Sequence, residues 1–179
     1  MTATKSVTVP NAQLTHIGIL VRDMDGMIAF YQRVMGMKQV DRGIIGTREL
    51  GFLSRSPDEH HQLVLVRDPA APAPAISTVG QIAFRLDDLE ALRTYYRLLG
   101  EWQAPGLEGR NHGNSWSLYF FDPEGNKIEL YVPTPWQFRQ PWREALDLTL
   151  PADAIVARTE QLFRETPGTM PLAQWQAQF

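Results

Sequence analysis

A chain of 179 residues has the length of one domain, or of two half-size modules sharing a core. Apolar residues make up 44% and charged residues 21%, which supplies a packed core and excludes wholesale disorder. A net charge of −3 with no basic stripe argues against nucleic acid as a partner, and the absence of cysteine removes disulfides, thiolate nucleophiles, zinc fingers and iron–sulfur clusters. No apolar run approaches the ~18–20 residues of a membrane helix. Residues 1–13 read as an N-terminal extension with one lysine and no apolar signal-peptide core. The expectation is a cytoplasmic globular protein with no membrane partner.

A first strand alternates over His16-Ile17-Gly18-Ile19-Leu20-Val21. The acidic turn Arg22-Asp23-Met24-Asp25 leads into an amphipathic helix containing Phe30-Tyr31 and ending near Gly36. Further strands are expected at Lys38–Asp41, Arg48–Ser54 and His61–Arg67, followed by a Pro/Ala linker over Asp68–Ala75. Then the pattern restarts. Gln81-Ile82-Ala83-Phe84-Arg85-Leu86 is a strand, Asp87-Asp88-Leu89-Glu90 a capping turn, and a helix with Tyr95-Tyr96 runs to Gly100. Strands are expected at Glu101–Ala104, Ser115–Phe121 and Lys127–Val132. The offset is constant at 65 residues and lays His16 over Gln81 and Leu63 over Ile128. After Val132, a tail with Pro133, Pro135 and Pro141 carries a helix near Ala152–Glu165, with Ile155, Val156, Thr159, Leu162 and Phe163 on one face. A short helix follows at Leu172–Gln178. The tail's tryptophans suggest a partner chain or a lid, and a homo-oligomer is expected.

The fold class that follows is α+β: two tandem βαβββ modules, residues 14–68 and 78–133, forming a curved mixed sheet with an inner cup and outer helices, plus a helical tail over 134–179. One module cannot bury both its helix stripe and its sheet face. Two can, and they leave a concave face of the kind where ligand sites form. Strand alternation sends Ile17, Ile19, Val21, Ile82, Phe84, Leu86, Ile128, Leu130 and Val132 toward the helices. His16, Gln81 and Glu129 then face the cup. Asp122-Pro123-Glu124-Gly125-Asn126 is a turn, and centring it on Glu124 puts Tyr119 across from Glu129. A carboxylate in a half-buried strand needs a cation, with Arg85 as the bland partner. Trp116, three residues before Tyr119, is a candidate for an aromatic pocket wall.

These residues resemble the vicinal oxygen chelate superfamily, which includes glyoxalase I, bleomycin-resistance proteins and extradiol dioxygenases. The carriers are Leu14-Thr-His-Ile-Gly-Ile-Leu-Val-Arg-Asp23, Gln81-Ile-Ala-Phe84 and Tyr119-Phe-Phe-Asp-Pro-Glu-Gly-Asn-Lys-Ile-Glu-Leu130. The likeness is greatest to short one-domain extradiol ring-cleaving dioxygenases. It implies a mononuclear iron site with His16 and Glu129 as metal ligands, His61 or His60 as acid–base catalyst, and Tyr119 and His112 as catalytic hydrogen-bond donors. The partners it implies are a small aromatic, catechol-like substrate and dioxygen. The second metal histidine of that family is here Gln81. Either a His16/Gln81/Glu129 site holds Fe2+, with Mn2+, Zn2+ or Ni2+ as alternatives, or metal binding is weakened or lost. The alternative functions are a non-redox lyase or isomerase of the glyoxalase type and a metal-poor aromatic-binding protein.

Overall fold

The computed structural model describes residues 12–69 and 79–178. Nearly all of the expected N-terminal extension, and the Pro/Ala linker from residue 70 onward, lie outside the described residues. The chain divides into two compact units, 1–73 and 74–179. Each has an α+β architecture, with a mixed sheet and one helix from its own βαβ segment.

The first unit runs β1 (Ile17–Leu20), α1 (Met24–Met35), β2 (Lys38–Ile45), β3 (Arg48–Ser54) and β4 (Leu63–Arg67). Its strand order is β1-β4-β3-β2, with β1 parallel to β4 and the other pairs antiparallel. The Asp23 carboxylate starts α1 by accepting the Gly26 N–H at 3.0 Å, and Gly36 stops it in the left-handed region at φ 62°. Asp25, the other acidic residue of that turn, pairs instead with Arg42. The stripe Met24, Met27, Ile28, Tyr31, Val34 and Met35 is buried. At Gly51 the helix comes so close to β3 that a Cβ would meet Met24 Sδ at 3.0 Å and Ile28 Cδ1 at 3.3 Å. Gly51, Leu53, Leu63, Leu65 and Ile19 therefore share the helix-facing side. β2 runs past its expected end at Asp41 to Ile45, because Gly46 at φ 61° closes a two-residue hairpin that sets Ile45 opposite Arg48. β4 begins at Leu63 rather than His61. The loop before it is organised by Ser54, whose hydroxyl meets the carbonyls of Ser56 and Glu59.

The second unit repeats the plan with β5 (Ile82–Arg85), α2 (Leu89–Glu101), β6 (Glu108–Asn111), β7 (Ser115–Phe121) and β8 (Lys127–Pro133). Asp88 caps α2 by accepting the Ala91 N–H at 2.8 Å. Parallel pairing sets Ile82 opposite Ile128, as Ile17 stands opposite Leu63 in the first unit. The offset of 65 thus holds for strand register as well as for sequence pattern. The expected strand at Glu101–Ala104 is corrected: α2 continues through Glu101, Gln103 turns the chain at φ 51°, and the strand forms later at Glu108–Asn111. Its Glu-Gly-Arg-Asn sequence carries no apolar alternation, so periodicity gave no signal there.

The tail adds β9 (Trp136–Gln137), β10 (Glu144–Ala145), α3 (Ala152–Glu165), β11 (Met170–Pro171) and α4 (Leu172–Gln176). β10 pairs with β6, so the sheet order becomes β10-β6-β7-β8-β5, while β11 pairs with β9. α3 buries Ile155, Thr159 and Leu162, and the Phe163 ring stacks on Trp136 at 6.0 Å. Val156 is corrected: it is 37% exposed, because it sits one step round the helix from the Ile155–Thr159–Leu162 stripe. Phe138 is fully buried. The tail packs into its own unit, through β10 on β6 and through α3 on Asn111 and Trp116. No helix among the described residues is long and apolar enough to cross a membrane.

Candidate active site

In the second unit, antiparallel pairing of β7 and β8 sets Tyr119 directly opposite Glu129. The turn that fixes this register is held by Asp122, whose carboxylate accepts from Glu124 N–H, Asn126 N–H and Asn126 Nδ2 at 2.8–3.0 Å. Glu129 is 7% exposed. Tyr119 donates its hydroxyl to Glu129 Oε1 at 2.7 Å, and Gln81 Nε2 donates to Oε2 at 2.6 Å. A carboxylate only accepts, so this partner fixes the Gln81 amide with its oxygen turned away from Glu129. Among the described residues Glu129 forms no ion pair. Arg85, its expected bland partner, stands opposite Tyr131 and leaves it alone. The nearby cation is Lys127, whose ammonium sits 4.3 Å over the Tyr119 ring.

His112, in the β6–β7 connection, extends the chain of contacts. Its Nε2 lies 3.0 Å from the Tyr119 hydroxyl and its Nδ1 lies 3.1 Å from the Trp142 carbonyl. A carbonyl only accepts, so Nδ1 carries a proton. Gln81, Glu129, Tyr119 and His112 thus form one row, in which the single Tyr119 proton faces two acceptors, Glu129 Oε1 and, with Nδ1 protonated, His112 Nε2. Trp116, the candidate for an aromatic pocket wall, is corrected. An odd separation along a strand puts the two on opposite faces, and the Trp116 indole is buried against α3, donating to Thr159 at 2.9 Å.

Burial, then the hydrogen bond and charge of Glu129, push the Tyr119 phenol above its ordinary value of 10.0. The phenol therefore stays protonated, and a donor, throughout the physiological range. The sign for stability follows. A raised folded-state pKa contributes stability that is complete below the unfolded value of about 10 and is lost as pH rises toward the folded value. Alkaline urea titrations of the wild type are expected to lose stability from pH ~10 upward more steeply than those of Tyr119→Phe. Superimposable slopes would show that the phenol's environment is ordinary.

In the first unit, His16, His60 and His61 gather on the sheet side away from α1. His16 and His61 meet edge-on with ring centroids 4.6 Å apart. The His60 and His61 Nδ1 atoms are 3.0 Å apart, and Phe52 packs its ring against both imidazoles. Phe52 lies opposite Val64, in the register that alternates with the helix-facing Gly51 and Leu53. Thr15 Oγ1 is 3.2 Å from His16 Nδ1. Burial first, then the charges of His16 and His60, hold the His61 imidazole below its ordinary value, against a smaller opposing pull from Glu59. His61 is therefore neutral at pH 7 and able to accept a proton.

Each unit thus brings its own sequence-derived residues together: three imidazoles in the first, and a carboxylate, amide, phenol and imidazole in the second. Among the described residues no three His, Asp or Glu side chains are grouped to hold a metal. Sequence reasoning missed Asn111, Gln140, Trp142 and Thr159. They support His112 through backbone and buried polar contacts that leave no periodic trace.

The family model of the Glyoxalase/Bleomycin resistance protein/Dioxygenase superfamily matches residues 13–130. The chain belongs to this superfamily. Among curated proteins it resembles YwbC of Bacillus subtilis, with 36% identity over 81 residues, 44% of this chain and 64% of that protein. The chain thus spans just under two-thirds of the length of the curated relative it matches. A solved fosfomycin resistance protein, FosX, from Listeria monocytogenes shares the superfamily fold at TM-score 0.56 and 18% identity, covering 70% of this chain and 95% of that one. It was solved with manganese(II) and 1S,2S-dihydroxypropylphosphonic acid. The trypanothione-dependent glyoxalase I of Leishmania major matches at TM-score 0.54 and 19% identity, covering 87% and 97%. At these identities the structures bear on the fold. The superfamily's members are mostly metal-dependent enzymes, and the matched segment contains His16, His60, His61, Gln81, His112, Tyr119 and Glu129.

Proposed function

We propose that the protein is a metal-dependent enzyme of the extradiol type, cleaving a catechol-like ring with iron(II) held by His16, Gln81 and Glu129. The observation that carries this reading is the row His112–Tyr119–Glu129, with a phenol donor locked between an imidazole and a carboxylate. The donor set fits a cation: among the described residues Glu129 is buried without an ion pair, each of its oxygens has lone-pair capacity beyond its neutral donor, and the Gln81 amide keeps its oxygen free of that bond. Bound there, iron(II) would supply the positive charge that acidifies a chelating hydroxyl and the redox capacity that dioxygen chemistry requires.

The chain's own groups divide the remaining work. Neutral His61 takes a hydroxyl proton from the substrate and returns it later. Tyr119, held protonated, turns its one proton from Glu129 Oε1 to a substrate oxygen. His112 stands behind Tyr119 and reaches the ring-opening product through it. A small aromatic substrate, dioxygen and a homo-oligomeric assembly complete the proposal.

A second reading rests on Gln81. A neutral amide in place of an imidazole suits Lewis-acid chemistry without oxygen activation. A lyase or isomerase of the glyoxalase type, loaded with manganese, zinc or nickel, would use the same carboxylate. Metal analysis of anaerobically purified protein, followed by oxygen-electrode assays over a catechol panel, separates the two. Iron with oxygen uptake is the expected result. Another divalent metal without oxygen uptake transfers the site to the second reading, and metal-free protein that binds catechols tightly overturns both. Gln81→His is expected to raise iron affinity, because an imidazole completes the two-histidine, one-carboxylate donor set that suits iron(II). His16→Ala and Glu129→Ala are each expected to abolish metal loading. Retention of metal by either variant removes that residue from the ligand set.

A further inference from the structure

The tail that folds onto the second unit begins beyond the segment the superfamily model matches, which ends at residue 130. It nevertheless converges on the backbone around His112. Gln140 is a two-sided clamp: its Nε2 donates to the His112 carbonyl at 2.8 Å, and its Oε1 accepts the Trp142 N–H at 3.0 Å. That bridge brings the Trp142 carbonyl to 3.1 Å from His112 Nδ1. Below it, the Phe138 ring fills the space a Cβ would need at Gly113, whose φ is +74°. Thr134 donates its hydroxyl to the Gly113 carbonyl and its N–H to that of Asn114 at 3.0 Å. On the other flank Asn111 Oδ1 accepts the Gly113 N–H at 2.8 Å while its Nδ2 donates to Thr159 of α3 at 3.0 Å. Residues 111–114 are thus gripped by the tail along their whole length.

We propose that Gln140 and the strap around it are positioning residues that fix the ring orientation and tautomer of His112. The Trp142 carbonyl holds the proton on Nδ1, and this leaves Nε2 as an acceptor facing the Tyr119 hydroxyl. Without the strap the exposed imidazole edge would meet water, and either ring nitrogen could carry the proton. The positioning stands on contacts within the second unit alone. Its consequence for turnover rests on the hydrogen-bonding role proposed for His112 behind Tyr119.

The test uses the full chain labelled with 15N at histidine. Long-range 15N–1H spectra are read at pH ~8.5, about two units above the ordinary imidazole value. In the wild type, His112 is expected to show a protonated Nδ1. Gln140→Ala, a surface truncation, is expected to shift its tautomer equilibrium by about tenfold toward Nε2–H, the equivalent of one or two lost hydrogen bonds. Trp142→Ala, which removes the 4.8 Å ring contact with Phe138 but keeps a backbone carbonyl, is a second route to loosening the strap and should shift it the same way. Gln137→Ala, in the same tail but outside the clamp, should leave the His112 signals in place. An Nδ1 that is unprotonated in the wild type, or an unchanged His112 spectrum in both folded strap variants, overturns the proposal. Because this readout needs no substrate and no metal, its failure is distinguishable from failure of the proposed activity. Where catechol turnover is present, Gln140→Ala should lower kcat with KM little changed, and an equal rise in KM would mark a binding defect instead.

Discussion

Replacing His61 by alanine is expected to lower turnover of the proposed reaction by about 10²–10⁴-fold, the usual worth of a positioned acid–base group, and to leave metal content unchanged. The expectation follows from the state of the imidazole rather than from its mere presence. Burial and the neighbouring rings of His16 and His60 disfavour the imidazolium, so His61 enters the reaction as a free base. The acid limb of kcat/KM should then lie below the ordinary value of 6.5. His60→Ala removes one of the two opposing charges and should move that limb upward. The same shift has a stability sign. The unfolded chain takes up a proton at His61 near pH 6.5 while the folded chain resists, so stability is complete above that value and is lost as pH falls through the lower folded one. His61→Ala should flatten this loss in urea titrations between pH 7 and 5. Wild-type turnover in His61→Ala would strike the residue from the mechanism. His60 would take its place only if His60→Ala is slow.

The two modules were legible because strands and amphipathic helices write their burial into the sequence, and the repeat doubled that signal. The equivalence of Ile17–Leu63 and Ile82–Ile128 pairing could be read from the offset alone. The Tyr119–Glu129 contact was legible because a tight turn fixes register and register fixes faces. Two kinds of feature escaped. β6 has no apolar residue to alternate, since its Gly109 passes under the Leu146 backbone and its Asn111 is spent on polar contacts. The Gln140 clamp and the Thr159 hub are single polar contacts between segments far apart in sequence, and no local period encodes them. The Gln81 amide shows the limit from another side: its place was readable, but the direction of its oxygen was not, because that depends on Glu129 across the strand pair.

Thr159→Val is expected to cost about 2–6 kcal/mol, far more than an isosteric change of this size normally does. The side chain is fully buried on α3. Its hydroxyl donates to the Ile155 carbonyl at 3.0 Å and accepts from Asn111 Nδ2 at 3.0 Å and Trp116 Nε1 at 2.9 Å. Valine fills the same volume and removes the acceptor, so two buried donors lose their partner at ~1–3 kcal/mol each. Thr159→Ser keeps the oxygen and should cost only about 1 kcal/mol for the lost methyl. Urea midpoints at constant m-value measure both. Introducing Trp116→Phe into the Thr159→Val background deletes one orphaned donor, so the double variant should be more stable than the sum of the single costs implies. The effect should also reach the site. Asn111 holds the Gly113 N–H with its other end, so a displaced Asn111 loosens the segment carrying His112, and the His112 15N signals should broaden or shift in Thr159→Val but not in Thr159→Ser. A valine variant within ~0.5 kcal/mol of wild type would mean that the hydroxyl is not the joint between α3 and the sheet, and that the tail is held by Phe138 and its aromatic neighbours instead.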